Sequence, residues 1–215
     1  MTFQEKLKAT KKRIEGNMAP QFLKIMHNAT DSLKKSGIQD KVLKIGDKIP
    51  DFELPNQNNE VINVKELYSK GPVVITFYRG FWCPYCNVDL ANLKHYKDEI
   101  ESYGATLFSI SPELQEYSKK ISLMQKLNFD ILTDQSNKVA DQFGLKFKMP
   151  DDLIELYRDK FQINLKQYHG DDEWELPMPA RFLVDTEGII RYVESEPDYR
   201  ERPDPDELIA VLKTL

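Results

Sequence analysis

The two cysteines of this 215-residue chain stand three positions apart in Phe77-Tyr78-Arg79-Gly80-Phe81-Trp82-Cys83-Pro84-Tyr85-Cys86. Two thiols at that spacing can trade a dithiol for a disulfide when they open a helix. The run Val73–Phe77 before them is apolar and β-branched, led by Gly71-Pro72, and reads as a buried strand. After Cys86 the apolar residues Leu90, Leu93, Tyr96 and Ile100 fall near one helical face. The pair is therefore expected at a strand-to-helix junction. There Cys83 is expected to be exposed beside free backbone N–H groups and the positive end of the helix dipole, both of which favour thiolate. Cys86 lies one turn further in and is expected to be shielded.

Three plainer readings of the pair compete. Cysteines that merely pack show no preferred spacing. A zinc site needs about four ligands, and beside the two thiols there are only His27, His95 and His169, scattered along the chain. A structural disulfide of so short a span stabilises little through chain entropy. The redox reading needs neither metal nor cofactor.

The chain is 40% hydrophobic, enough for one sizeable core, and its formal net charge of −5 argues against general nucleic-acid binding. No apolar stretch approaches the ~18 residues expected of a membrane span. Met1–Lys6 has no apolar run of the kind a secretory signal carries. Two thiols without an export signal fit a reducing compartment, so a cytoplasmic location is expected.

Residues 1–43 stand apart as an N-terminal helical extension. Phe3, Leu7 and Ile14, then Phe22, Met26 and Leu33, predict two amphipathic helices broken around Gly16–Pro20. Their faces suit either a partner or homodimer surface or simple packing on the core. From residue 44 to 215 strands and helices alternate as in a single α/β domain. Strands are expected at Val61–Val64, Val73–Phe77, Ala105–Ile110 and Ile131-Leu132, and a hairpin around Asp185–Gly188. Ser111-Pro112-Glu113 reads as N-cap, first-turn proline and early acid of a helix whose apolar face is Leu114, Tyr117, Ile121, Met124 and Leu127. Asp204–Glu207 is expected to cap a last helix. Residues 145–177 read as an insertion, a helix near Leu153–Phe161 followed by an acidic, aromatic loop with Trp174. It suits a lid, a partner surface or a self-packed surface segment.

Trp82-Cys83-Pro84-Tyr85-Cys86 is similar to the active-site segment of thioredoxin-fold proteins, and Cys-Pro-Tyr-Cys is glutaredoxin-like. Ile45–Pro55 resembles the entry segment, and Arg181–Val193 the late β-hairpin, of peroxiredoxins of the AhpC/TSA class. Arg79–Cys86 resembles the motif of a peroxiredoxin-like branch with Cys-x-x-Cys. The resemblance covers roughly residues 44–196. It implies a thioredoxin-like fold: a mixed central sheet flanked by helices, here with the N-terminal extension and an insertion before the late hairpin.

The resemblance also implies chemistry. Cys83 would attack a hydroperoxide, Cys86 would resolve the sulfenic acid as a disulfide, and a thioredoxin- or glutaredoxin-like donor would reduce it. Cys83 attacking a protein or small-molecule disulfide is the alternative, and a non-catalytic redox sensor is a third. Two departures bear on the choice. Where the family has a Thr or Ser three residues before the attacking cysteine, this chain has Gly80, and where the family has its distant Arg, it has Pro179. The buried acid of thioredoxins is replaced by Phe77. Arg79 and Arg181 are candidates for the missing positive charge, although either equally suits an ordinary ion pair. Gly80 and Trp82 flank the thiols and are candidate substrate-positioning residues. Met178-Pro179 resembles the thioredoxin cis-proline element and is expected to be cis, against Cys83, with the Met178 backbone free to bind an extended partner.

Overall fold

The structure, a computed structural model, describes residues 1–215. The extension forms α1 (Phe3–Gly16), α2 (Pro20–Lys35) and a single turn α3 (Ile38–Lys41). Thr2 and Glu5 close a reciprocal capping box on α1, and Pro20 starts α2 at its first turn, where a missing N–H costs nothing. Phe3 and Leu7 of α1 enter the core beside Leu90 and Leu93, and Met26 of α2 packs with Trp174 and Leu153 of the insertion.

A short hairpin, β1 (Glu53–Pro55) with β2 (Val61–Asn63), leads through α4 (Val64–Tyr68) into β3 (Val73–Phe77). Every β3 residue is buried, as expected of a central strand covered on both faces. α5 (Pro84–Ser102) follows, then β4 (Thr106–Ser111), α6 (Gln115–Gln125), β5 (Asp130–Thr133) and α7 (Lys138–Gln142). The insertion opens on β6 (Lys146–Lys148), continues through α8 (Asp151–Glu155), a π-turn at Leu156–Lys160 and α9 (Leu165–His169), and closes on β7 (Glu175–Pro177). β6 and β7 pair antiparallel, so the insertion is a loop clamped by its own two-stranded ribbon. β8 (Ala180–Val184), β9 (Ile190–Ser195) and α10 (Asp206–Leu212) complete the chain.

The central sheet runs β5-β4-β3-β8-β9. β3 is parallel to β4 and antiparallel to β8, with Phe77 facing Ile110 on one side and Ala180 on the other. This register puts the C-terminal end of β3 and the N-terminal end of β8 at one edge of the molecule, and the two thiols emerge there. The architecture is the expected thioredoxin-like one.

Three local expectations fail. The Ser111–Glu113 segment does not cap a helix: α6 begins at Gln115, with Leu114 as its cap residue and no side-chain capping bond. Ser111 Oγ accepts from the Glu113 N–H, and Leu114 N donates to Tyr168 O at 2.8 Å, which delays the helix and turns Glu113 inward to zero exposure. As a consequence α6 presents Ser118 and Ile121 to the core and leaves Met124 exposed. The last helix is preceded by Pro205 without a side-chain cap, because Asp204 instead accepts from Gln4.

The third failure concerns Pro179. No peptide bond is cis, so Met178-Pro179 is trans. Pro179 stands in the two-residue link between β7 and β8, and the residue before a proline favours extended backbone. Met178 N donates to Leu145 O at 2.8 Å, so that N–H is not free for an incoming strand.

Candidate active site

Cys83 is the N-cap residue of α5, with extended backbone (φ −90°, ψ 108°), and Pro84 takes the first helical position. Its N–H donates to Gly80 O at 3.0 Å and its C=O accepts from Asn87 N at 3.0 Å, so a turn and a helix share this one residue. Cys86 is one turn on. Both thiols are free, and the Cys86 S–H donates to Cys83 Sγ at 2.9 Å.

Cys83 is not exposed as expected, since each sulfur residue retains only 1% of its surface. It looks instead into a cavity of about 240 Å³. Trp82 and Tyr85 from its own segment, Met18 and Met26 from the extension, and Tyr157 and Phe161 from the insertion form most of the wall. The segments outside the thioredoxin-like plan thus build the site's roof.

Arg79 also lines this cavity and is 3% exposed. Its guanidinium lies 4.0 Å from the Tyr199 ring centre and 4.9 Å from that of Trp82, and donates to Tyr157 Oη at 3.0 Å. No carboxylate pairs with it. Stacked cations of this kind are held by ring quadrupoles in a low-dielectric setting. Burial opposes ionisation of Cys83, but the Cys86 hydrogen bond, then the Arg79 charge and that of Arg202, outweigh it and bring the thiol down to about 6. Burial and the bond to the Cys83 thiolate push Cys86 well above the ordinary range. The two thiols are thus shifted in opposite directions, Cys83 toward the thiolate and Cys86 toward the protonated thiol.

Arg181 proves to be an ion-pair residue. It is 1% exposed, faces Thr76 across the sheet, and reaches Asp89 Oδ1 at 2.8 Å and Glu194 Oε1 at 3.0 Å. Arg202 connects this network to the thiols, with Nε 3.6 Å from Asp89 and Nη2 4.0 Å from Cys86 Sγ. Pro179 lines the polar cavity beside Arg181 and a second cavity beside Arg79, while a third, separate one holds Cys83.

Gly80 has φ +150°, backbone that glycine alone adopts readily. A Cβ there would stand 2.6 Å from Trp82 Nε1 and 2.8 Å from Glu113 Oε1. Glu113 Oε1 accepts from Phe81 N at 2.6 Å, and burial pushes this carboxyl up to about 8. Glu113, Arg202, Tyr157 and Tyr199 are site residues that the sequence pattern did not single out. Ser-Pro-Glu after a strand reads equally well as a cap, Tyr157 reads as one position of the Leu153–Phe161 helix, and nothing periodic marks Arg202 or Tyr199. No three His, Cys, Asp or Glu side chains are grouped as a metal ion requires.

Residues 45–193 match the AhpC/TSA family. Peroxiredoxin Bcp of Escherichia coli K12 is 32% identical over 103 residues, 48% of this chain. The match covers 65% of that relative, slightly under two thirds of its length. The chloroplastic peroxiredoxin Q of Sedum lineare is 25% identical over 183 residues, covering 85% of this chain and 84% of its own. The crystal structure of peroxidoxin BcpB from Mycobacterium tuberculosis superposes with a TM-score of 0.63 at 24% identity, over 80% of this chain and 98% of that one. No helix is long and apolar enough to cross a membrane. With the fold, the thiol pair at the end of β3 and a family match across most of its length, this chain belongs to the AhpC/TSA family.

Proposed function

We propose that the protein is a thiol-dependent peroxidase. The Cys83 thiolate attacks the terminal oxygen of a hydroperoxide, the O–O bond breaks, and the alkoxide or hydroxide leaves and takes up a proton. Cys83 becomes a sulfenic acid. Cys86 Sγ then attacks Cys83 Sγ, loses its proton, and expels the hydroxyl as water to leave a Cys83–Cys86 disulfide. A dithiol protein of the thioredoxin or glutaredoxin type returns two electrons. Arg79 takes the part of the positive charge that the family places elsewhere: it holds the thiolate and faces the cavity where peroxide must bind. Residues 1–43 and the insertion act as cover over the thiol face.

The observation carrying this reading is the Cys86 S–H···Cys83 Sγ contact of 2.9 Å beside a mainly apolar cavity that also holds an unpaired guanidinium. A small hydroperoxide fits 240 Å³. A folded protein's disulfide needs the roof to open, and with Met178 N engaged by Leu145 the strand-addition route loses its support. The relatives named peroxiredoxin favour the same choice. Stopped-flow oxidation of the reduced protein by hydrogen peroxide, run beside reduction of insulin disulfides, decides between the two. Peroxide oxidation no faster than that of free cysteine would end the peroxidase reading.

A further inference from the structure

The two sulfurs have different surroundings. Cys83 lines the apolar cavity and Cys86 does not; the charged atom in contact with Cys86 is Arg202 Nη2, 4.0 Å from its Sγ. Arg202 is 7% exposed and stands in the segment between β9 and α10, beyond the residues that match the family. Its place is built from both ends of the chain. Gln4 of α1 donates to Arg202 O at 2.8 Å, Arg202 Nη1 donates to Glu201 O at 2.6 Å, and Nε lies 3.6 Å from Asp89 Oδ2. Asp89 is shared, since its other oxygen holds Arg181 Nη2 at 2.8 Å, and Arg181 Nη1 meets Glu194 at 3.0 Å. Two arginines and two carboxylates therefore balance, and Arg202 keeps Nη2 for the sulfur. All four line the polar cavity of about 560 Å³, so the surroundings of Cys86 are as charged as those of Cys83 are apolar.

In the reduced protein the influence of Arg202 on Cys86 is opposed. Cys86 gives its S–H to Cys83 Sγ at 2.9 Å. Burial, then that bond and the charge of the Cys83 thiolate, keep the proton on Cys86, while Arg202 is the first charge acting against them and Arg79 the second. Oxidation changes this balance. A sulfenic acid is neutral, so neither the thiolate acceptor nor its repulsion survives the first step. The other ionisable groups facing Cys86 or Arg202 are Tyr78 after β3, Asp89 on α5, and Arg181 and Glu194 on the sheet, with Glu196 and Glu201 on the cavity wall.

We propose that Arg202 is the positioning residue of the resolving step: its guanidinium becomes the countercharge of a Cys86 thiolate once the Cys83 anion has been consumed, so the second step is favoured only after the first. The inference rests on the peroxidase reading and names the residue that governs its second half. Cys86 releases its proton to solvent, and its thiolate forms the S–S bond with Cys83 Sγ as the S–O bond breaks. The expelled hydroxide takes up a proton and leaves as water. The sulfenic sulfur is reduced and Cys86 oxidised to the common level of the disulfide. An opposite charge at this range typically raises a thiolate population by ~10–10³-fold. About half of that gain, on a logarithmic scale, is returned because a less basic thiolate is a weaker nucleophile.

The test is rapid-quench oxidation of the reduced full chain by hydrogen peroxide across the pH range, for wild type, Arg202→Met and Arg202→Lys. Dimedone trapping and mass spectrometry separate the Cys83 sulfenic acid from the Cys83–Cys86 disulfide, so each phase is read on its own. Arg202→Met should slow disulfide formation relative to sulfenic acid formation by roughly 3–30-fold, and should move the pH midpoint of the second phase upward. Arg202→Lys keeps the charge and should recover most of the rate and the midpoint. A merely structural role would slow both phases together and leave the midpoint in place, so either result in Arg202→Met overturns the proposal. Should the Asp89 charge left behind keep Arg202→Met from folding, the double variant Arg202→Met, Asp89→Asn removes one charge of each sign, leaves Arg181 on Glu194, and is decided by the same two readings. A wild type whose first phase is no faster than oxidation of free cysteine removes the peroxidase reading as well. A fast first phase with an unmoved second-phase midpoint removes only the role of Arg202.

Discussion

Cys86 donates its S–H to Cys83 Sγ at 2.9 Å while Arg202 Nη2 stands 4.0 Å from the Cys86 sulfur. The donor thiol thus lies between Cys83 and a chain of charges, Arg202–Asp89–Arg181–Glu194. That asymmetry supports the proposed roles of the two sulfurs.

Cys83→Ser should abolish peroxide turnover. Cys86→Ser should leave the first step and accumulate a sulfenic acid that dimedone traps on Cys83, read by mass spectrometry. An adduct found mainly on Cys86 would reverse the assignment.

The thiolate's low pKa has identifiable supports. Iodoacetamide alkylation of Cys83 should show a midpoint near the value of about 6. Replacing Cys86 with alanine removes the S–H donor, and Arg79→Met removes the nearest charge, so each should move the midpoint upward. Arg79→Met should also slow peroxide oxidation, by ~10²-fold or more if its guanidinium meets developing charge as such donors usually do. An unmoved midpoint in Arg79→Met would show that the ring-stacked cation is only structural.

Arg181 should behave differently. Removing one member of a buried, bonded pair typically costs ~3–5 kcal/mol, so Arg181→Met should lower the urea midpoint sharply. The alkylation midpoint of its folded fraction should stay with the wild type. A shift as large as that of Arg79→Met would place Arg181 in the site after all.

Gly80→Thr restores the hydroxyl the family carries at this position, and here it should destroy activity. The new Cβ would meet Trp82 Nε1 and Glu113 Oε1 under 3 Å away. Holding a non-glycine residue in a disfavoured backbone region adds roughly 1–3 kcal/mol. Thermal denaturation and peroxide turnover should fall together, and a gain in turnover would refute the packing argument.

The two shifted groups tilt stability with pH in opposite senses. Glu113 is raised to about 8, so its favourable contribution is complete in acid and is lost as pH rises from the ordinary carboxyl range through 8. Cys83 is lowered to about 6, so its contribution is complete above the ordinary thiol range near 9 and is lost as pH falls through 6. Urea denaturation of reduced Glu113→Gln against reduced wild type should therefore show wild type losing ground steadily between mildly acidic pH and pH 8. A gap independent of pH would mean that Glu113 is not buried as an acid.

How much of this was legible beforehand follows from the range of each interaction. The strand Val73–Phe77, the helix after Cys83 and the alternation beyond residue 44 are encoded in local periodicity, and they appear where the apolar spacing puts them. The two cysteines come together because i and i+3 share a helical face. Cys83's burial was not legible, because its roof comes from Met18, Met26 and Phe161, far away in sequence. Ser-Pro-Glu has the local chemistry of a helix cap, whereas the bond from the neighbouring Leu114 N to Tyr168 O in the insertion settles the direction of Glu113. The resemblance to thioredoxin at Met178-Pro179 does not hold because the insertion's β6–β7 ribbon ends one residue earlier and Met178 N is bonded to Leu145 O.

The unpaired Arg79 guanidinium has a thermodynamic corollary for the redox couple. In the reduced protein its countercharge is the Cys83 thiolate; once the disulfide forms that anion is gone, and a cation remains buried among Trp82, Tyr157 and Tyr199. The oxidised form thus bears an electrostatic penalty that the reduced form escapes, so the disulfide should be an avid electron acceptor with a comparatively high reduction potential. Equilibration with glutathione buffers would show this as a couple lying toward the dithiol, and Arg79→Met should draw it back toward the disulfide. A weak reductant would then suffice to close the cycle.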